Sequence, residues 1–200
     1  MIKGDSTEYE IIEEACDTLV NDNLFTAEIG VRQGIGSKII LDKLKHKNHW
    51  HIGIDPYGDI DYLHFDNQKD TTWNGSSKPP TYPNSMKSEL IKDLSDYDNF
   101  SLFQMEDDEF MKRFSDGVPI YKDKKEIKSK YDLVFFDGPH TTLATLKEGI
   151  FFGERSRTGS VFIFDDYPGY NMNIILEILV NSFGFMLLKQ GKNKIALKRN

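Results

Sequence analysis

The chain contains almost no cysteine, since Cys16 is the only one in 200 residues. A single cysteine excludes an intramolecular disulfide and a zinc cluster built from cysteines. The surrounding sequence, EEACDTLV, is typical of a helix interior. We therefore interpret Cys16 as a buried structural thiol.

Long apolar runs are missing as well. No stretch approaches the roughly 18 residues that a membrane-spanning helix requires. The first residues, MIKGDSTEYEIIEE, lack the apolar core of a signal peptide. These features predict a protein with no membrane partner and a cytoplasmic location.

Positive charge is not in excess either. The 25 Lys and Arg residues are outnumbered by 32 Asp and Glu residues, which gives a formal net charge of -7. An acidic surface disfavours non-specific attraction to nucleic acid. We expect a small-molecule partner rather than a nucleic acid, and a homodimer is compatible with the sequence.

Apolar strand-like segments alternate with helical segments along the chain. The predicted strands are residues 25–30, 49–55, 99–105, 131–137 and 160–166. The predicted helices are residues 6–20, 37–46, 85–96, 107–114, 141–152 and 173–182. Strands that are apolar on both faces predict a parallel sheet covered by helices on both sides, in a single α/β domain over residues 1–200.

Two further segments depart from this alternation. Residues 185–190 and 194–199 flank Gly191-Lys-Asn and predict a terminal antiparallel hairpin. Residues 57–86 carry several prolines and aromatic residues and break the rhythm of the chain. A stretch this long without regular structure is usually functional, so we interpret it as a lid or substrate-binding insertion that includes His64.

Polar and acidic residues follow the predicted strands, where ligands of such sheets bind. The first group is the turn Glu28-Ile-Gly30-Val-Arg-Gln-Gly34-Ile-Gly36-Ser37. Glycines let a backbone approach a ligand, and the helix after them offers free N–H groups. The spacing is not the dinucleotide G-x-G-x-x-G, because Ile39 stands where the third glycine would be. An acid at Glu28 suits an ammonium group better than a pyrophosphate. A tight strand-to-helix turn without a ligand is the alternative.

Asp55 ends the second strand, where a carboxylate can accept both hydroxyls of a ribose. Its alternative role is that of a turn carboxylate before Pro56.

Three aspartates form the next candidate group. Asp137, Asp165 and Asp166 end adjacent predicted strands, and their carboxylates would repel each other unless a cation lies among them. Oxygen ligands favour Mg²⁺ or a similar divalent ion. The alternative is that one caps a helix and another faces solvent.

His140 lies three residues after Asp137, at the start of a predicted helix. A histidine there can accept a proton from a hydroxyl near neutral pH. A capping or substrate-contact role without proton transfer is equally compatible. His46, His49 and His51 are interpreted as structural.

Together these motifs resemble the class I S-adenosylmethionine (SAM)-dependent methyltransferases, in particular small bacterial O-methyltransferases and metal-dependent sugar O-methyltransferases. The resemblance rests on Glu28-Ile-Gly30 through Ser37, Gly53-Ile-Asp55, Asp132-Leu-Val-Phe-Phe-Asp137-Gly-Pro-His140 and Val161-Phe-Ile-Phe-Asp165-Asp166-Tyr167. It spans about residues 24–198. It implies a Rossmann-like, doubly wound, seven-stranded and mostly parallel sheet whose last strand is antiparallel.

The resemblance also implies roles for single residues. Those facing SAM match Glu28, Gly30, Gly34, Ser37, Asp55, Glu106, Asp107 and Asp137. Relatives that use a metal bind it with residues matching Asp137, Asp165 and Asp166. Catechol-type relatives carry a basic residue where His140 stands, and some sugar-modifying relatives carry an acid where Pro139 stands.

The sequence thus predicts metal-assisted O-methylation of a small hydroxylated molecule (a sugar, glycoside or phenol), with His140 and Asp137 as catalytic residues. A non-catalytic SAM-binding module is one alternative. An NAD-dependent oxidoreductase is another, which the glycine spacing disfavours.

Overall fold

A computed structural model describes residues 6–58, 65–66 and 84–200. Its strands are β1 (Asn23–Ile29), β2 (Asn48–Ile54), β3 (Phe100–Phe103), β4 (Val118–Tyr121), β5 (Lys125–Lys128), β6 (Tyr131–Phe136), β7 (Ser156–Phe164), β8 (Phe185–Gln190) and β9 (Ile195–Arg199). Its helices are α1 (Glu10–Asp17), α2 (Ile35–Leu44), α3 (Asn84–Asp93), α4 (Asp107–Arg113), α5 (Thr142–Glu154) and α6 (Met172–Phe183). The predicted elements are all present, with ends shifted by a few residues.

Seven strands form one sheet in the order β3-β2-β1-β6-β7-β9-β8. The pairs from β3 to β7 are parallel, and β9 runs antiparallel between β7 and β8. This topology confirms the predicted doubly wound sheet with an antiparallel last strand. The β4–β5 hairpin forms a separate two-stranded sheet that the sequence did not predict.

Apolar side chains cover both faces of the sheet. Strands β6 and the second half of β7 are buried throughout, because helices pack on each side of them. One face packs against α4, α5 and α6, and the other packs against α1 and α2. Cys16 lies in α1 at 2% exposure, and burial raises the pKa of its thiol to about 12. Cys16 is therefore part of the core.

The first helix is shorter than predicted. It begins at Glu10, four residues after the predicted start at residue 6. The Ser6 hydroxyl donates to the Asp165 carboxylate over 2.8 Å, across 159 residues of sequence. Among the described residues, no helix has both the length and the apolar character needed to cross a bilayer.

The sheet reverses its direction of winding between β1 and β6. From β1 the chain passes through α2 to β2 on one side, whereas β6 pairs with β1 on the other. Such a switch point leaves a crevice beyond the carboxyl ends of the two strands, where ligands of open α/β sheets bind. The residues that follow β1 and β6 therefore lie at the expected ligand site.

Candidate active site

Gly30 lets the ends of β1 and β6 come together. It has a φ of +76°, and a Cβ added to it would lie 1.9 Å from the carbonyl oxygen of Asp137. Backbone hydrogen bonds hold this arrangement from both sides, from Gly30 N to Ile54 O at 2.9 Å and from Asp137 N to Ile29 O at 2.8 Å. Only glycine fits here without moving a strand end.

The other two glycines of the turn also lie close to neighbouring side chains. Gly34 has a φ of +84°, and a Cβ there would lie 2.3 Å from a methyl carbon of Leu90. A Cβ at Gly36 would lie 2.1 Å from Glu28 Oε1. The turn is thus shaped by packing against α3 and by the buried Glu28 carboxylate.

A cleft opens above the switch point. It encloses about 500 Å³ of empty space, part of it open to solvent. Its walls are formed by Ile29, Gly30, Arg32, Ile54, Asp55, Pro56, Glu106, Asp107, Asp137, Gly138 and Pro139.

Five of the eight predicted SAM-facing residues line this cleft, namely Gly30, Asp55, Glu106, Asp107 and Asp137. The other three, Glu28, Gly34 and Ser37, lie behind the cleft wall, where Ser37 and Glu28 bind each other. Acidic residues that follow strands far apart in the sequence therefore line a single cavity.

Asp55 fixes the glycine turn as well as lining the cleft. Its Oδ2 accepts the N–H groups of Val31 and Arg32, each at 2.9 Å, and its Oδ1 accepts that of Tyr57 at 3.0 Å. The residue is 2% exposed, and burial raises the pKa of its carboxyl while the three N–H donors oppose that change. Arg32 and Tyr57 both have positive φ angles, 50° and 48°. Such strained non-glycine residues often cluster at functional sites.

Behind the cleft, a chain of buried hydrogen bonds ends at Glu28. His49 Nε2 lies 2.7 Å from Thr26 Oγ1, which lies 2.8 Å from His51 Nδ1. His51 Nε2 lies 3.0 Å from Ser37 Oγ, and Ser37 donates to Glu28. Because burial lowers the pKa of His49 to about 4 and that of His51 well below its usual value, both rings are neutral. The chain is consistent when each neutral ring carries its proton on Nε2.

Glu28 gives a pH-dependent prediction for stability. Burial raises the pKa of this carboxyl to about 8, so the folded protein holds a proton that the unfolded chain releases near pH 4.5. Stability therefore falls as the pH rises between these two values. In Glu28→Gln the side chain stays neutral, so this component of the pH dependence disappears.

We expect the free energy of unfolding of Glu28→Gln to exceed that of the wild type increasingly from pH 5 to pH 8, by an amount on the order of a few kcal/mol. Urea unfolding of both proteins across this range measures the difference, and it cancels the titration of all other groups. A difference that stays constant with pH would contradict the raised pKa.

Glu106 and Asp107 stand at the far wall of the cleft, at the start of α4. Burial and the neighbouring Asp107 carboxylate raise the pKa of Glu106. Glu148 of α5 is buried, at 1% exposure. Burial is the larger cause and the Asp107 carboxylate the second cause that raise the pKa of the Glu148 carboxyl well above its usual value. The buried position of Glu148 beside Asp107 thus favours the neutral form of its carboxyl.

His140 stands between two of the predicted aspartates. Its Nε2 lies 3.5 Å from Asp137 Oδ1, and its Nδ1 lies 3.7 Å from Asp166 Oδ2. Its ring is stacked between those of Phe65 and Tyr170, with centroid distances of 5.6 and 6.1 Å. The ring is therefore held in place at 4% exposure, beside the cleft wall formed by Asp137.

Phe65 and Asp66 are the described part of the middle of the predicted insertion at residues 57–86. Phe65 pairs with His140 in a parallel bridge, and Asp66 accepts the N–H of Thr142 over 2.8 Å at the start of α5. His64 and most of the predicted lid lie outside the described residues. The insertion thus contacts the edge of the sheet at His140.

The predicted metal ligands do not share one open position. Asp137 lines the cleft, and Asp166 is 41% exposed, but Asp165 is buried at 2% exposure. Burial and the neighbouring Asp165 carboxylate raise the pKa of Asp137 well above its usual value. Both oxygens of Asp165 already have donors, since Oδ1 accepts Asp166 N and Oδ2 accepts Lys194 Nζ. Within the described ranges, no group of three His, Cys, Asp or Glu side chains is arranged to hold a metal ion.

His49 and His51 were interpreted as structural, but their hydrogen-bond chain with Thr26 was not predicted. That chain had a usable signal in the sequence, because alternate residues of a strand share one face. Lys194 and Phe65 had none, since each contacts the site from a distant part of the chain.

The parallel sheet, the antiparallel β9 strand between β7 and β8, and the acidic cleft at the switch point define the fold of class I SAM-dependent methyltransferases. Residues 27–167 match a family model described as a methyltransferase domain. The match spans more than half of the chain, so the chain belongs to this methyltransferase family. Its methyl donor is accordingly SAM.

Solved structures share the fold at low sequence identity. Precorrin-6y C5,15-methyltransferase from Geobacter metallireducens is 12% identical with a TM-score of 0.56, covering 98% of this chain and 90% of its own. CalS11, a TDP-rhamnose 3'-O-methyltransferase of calicheamicin biosynthesis, is 15% identical with a TM-score of 0.58, covering 95% and 78%. A Streptococcus mutans protein described as a methyltransferase, solved in complex with SAH, is 11% identical with a TM-score of 0.57, covering 100% of both chains. No curated protein matches the chain in sequence.

Proposed function

We propose that this protein transfers the methyl group of SAM to a hydroxyl oxygen of a small molecule, preferably a sugar or glycoside, with His140 accepting the hydroxyl proton. The observation that carries the proposal is the position of His140. It is held between two aromatic rings and flanked by the carboxylates of Asp137 and Asp166, next to the cleft.

The cleft offers a place for each part of SAM. Gly30 and Asp137 stand at the switch point, where the methionine part and the sulfonium would lie. Three backbone N–H groups occupy both lone-pair sites of Asp55 Oδ2 and one of Oδ1, so the remaining site on Oδ1 would accept a ribose hydroxyl. Glu106 and Asp107 border the far end, where the adenine would lie.

Methyl transfer is an in-line displacement in which the C–S bond breaks as the C–O bond forms. SAM held in the cleft would supply the methyl group and leave as a neutral thioether, and His140 would accept the proton of the acceptor hydroxyl. Fixing the two reactants in line lowers the entropic cost of the reaction. Asp137 and Asp166 would stabilise the imidazolium that His140 becomes.

A divalent metal is not part of the proposed step. The sequence favours one at Asp137, Asp165 and Asp166, but the buried Asp165 carboxylate is already bound by Lys194 and by the Asp166 N–H. The donor set therefore does not fit a metal ion that binds through all three carboxylates.

The test begins with calorimetric titration of SAM and of NADH into the purified protein. We expect SAM to bind and NADH not to bind. The protein is then incubated with SAM and a panel of sugar nucleotides, glycosides and phenols, and mass spectrometry detects the added methyl group.

Matched acceptors in which the hydroxyl that becomes methylated is replaced by hydrogen serve as controls. Methylation that persists on such an acceptor, or that occurs on RNA and on no small molecule, would contradict the proposal. Tight SAM binding without turnover on any acceptor would favour the non-catalytic binding module instead.

A further inference from the structure

A buried lysine occupies the place where the sequence suggested a metal ion. Lys194 has 0% exposure, at the turn before β9. Its Nζ lies 2.8 Å from Asp165 Oδ2 and 2.5 Å from the Ser6 hydroxyl. An ammonium is therefore present among the carboxylates, and the chain itself supplies it.

The surroundings of Lys194 hold the ammonium in one position. Its Nζ lies 5.2 Å from the ring centre of Tyr9 and 5.7 Å from that of Phe135, which suits a cation over aromatic faces. Glu8 accepts the backbone N–H groups of Lys192, Asn193 and Lys194 at 2.7, 2.8 and 3.0 Å. The turn that carries Lys194 is thus tied to the N-terminal segment.

Both oxygens of Asp165 take part in these contacts. Its Oδ2 accepts from both Lys194 and Ser6, and its Oδ1 accepts the Asp166 N–H at 2.8 Å. A divalent ion would need a carboxylate oxygen at about 2.0–2.1 Å, and here it would also meet the positive charge of the ammonium. Lys194 and a metal ion on Asp165 therefore exclude each other.

The ammonium also acts on the neighbouring acids. It opposes the rise in the pKa of Asp137 and of Asp166 that burial and Asp165 cause. This is the electrostatic effect that a bound cation would have on a cluster of carboxylates.

We propose that Lys194 is the built-in cation of this site and that it replaces a divalent metal at Asp137, Asp165 and Asp166. Lys194 is a positioning residue, because it is buried and acts through Asp165. The inference rests on the proposed function only where it concerns turnover. Competition between Lys194 and a metal ion is a property of the protein without substrate, so it can be tested independently.

The decisive test is a titration with Mn²⁺, a probe for oxygen-ligated sites, followed by electron paramagnetic resonance of the free ion. We expect the wild type, after treatment with a chelator, to leave Mn²⁺ free at millimolar concentration. Lys194→Met keeps an unbranched apolar side chain but lacks the charge. We expect this variant to bind Mn²⁺ at least tenfold more tightly than the wild type.

Lys189→Met is the matched control, because Lys189 is half-exposed and forms a surface ion pair with Glu14 at 2.9 Å. It should bind Mn²⁺ as weakly as the wild type. Stoichiometric Mn²⁺ binding by the wild type at micromolar concentration, abolished in Asp165→Asn, would overturn the proposal whether or not Lys194→Met folds.

SAM titration of the chelator-treated wild type separates this inference from the proposed function. If SAM binds with the same affinity before and after chelator treatment and Mn²⁺ stays free, the proposal that Lys194 is the built-in cation is supported. Absence of SAM binding would refute the proposed function and leave the Mn²⁺ result as it stands. A wild type whose turnover requires added Mg²⁺ would also overturn the inference.

Discussion

The His140→Gln variant should lose about 10²–10⁴-fold in the rate of methyl transfer, the usual contribution of a positioned general base. Glutamine keeps a polar side chain of similar reach but does not accept the hydroxyl proton at neutral pH. His140 does not line the SAM cleft, whose walls include Asp137. The affinity for SAM should therefore stay close to that of the wild type.

Single-turnover kinetics with saturating SAM, together with calorimetry, measures these two quantities separately. The matched control is His46→Gln, since His46 is exposed in the turn between α2 and β2. The control should keep full activity. If His140→Gln turned over at the wild-type rate, another group would have to accept the proton, and His140 would be a packing residue between Phe65 and Tyr170.

The Gly30→Ala variant should lose more than about 4 kcal/mol in its free energy of unfolding, which is exceptional for a single substitution. Two effects add. The residue has a φ of +76°, and its new Cβ would overlap the Asp137 carbonyl oxygen at 1.9 Å. Neither strand end can move aside without breaking the backbone hydrogen bonds between Gly30 and Ile54 and between Asp137 and Ile29.

Gly159→Ala separates these two effects. Gly159 has a φ of +88°, and an added Cβ would have no atom within 4 Å. It should lose only about 1–2 kcal/mol, the cost of a left-handed conformation. Urea unfolding of both variants gives the comparison. Equal losses would show that the approach of β1 and β6 is looser than the structure indicates.

Much of the fold could be predicted from local sequence patterns. The predicted strands 131–137 and 160–166 are mostly apolar and each ends on an acid, so their type and the edge of the sheet at which they end could be inferred. The β4–β5 hairpin was missed because Lys125–Lys128 is mostly exposed and lacks an apolar face. The start of α1 was misplaced because Ser6 resembles a helix cap but binds Asp165 instead.

Part of the candidate site could also be predicted from local sequence patterns. Asp55 and Asp137 follow strands directly, so their position depends on a strand end that the sequence marks. The hydrogen bonds from Asp55 to the glycine turn join residues more than 20 positions apart, and no local pattern indicates them.

The sequence by itself determined the order along the chain of the strands of the main sheet and the acids that follow them, because apolar runs and the position of glycine are local properties. It therefore determined the sheet, the glycine turn and the acids at one edge. Only the tertiary structure decided how those acids are neutralised. Lys194, Ser6 and Phe65 reach the site through contacts between distant segments, and the charge balance of a buried cluster depends on such contacts.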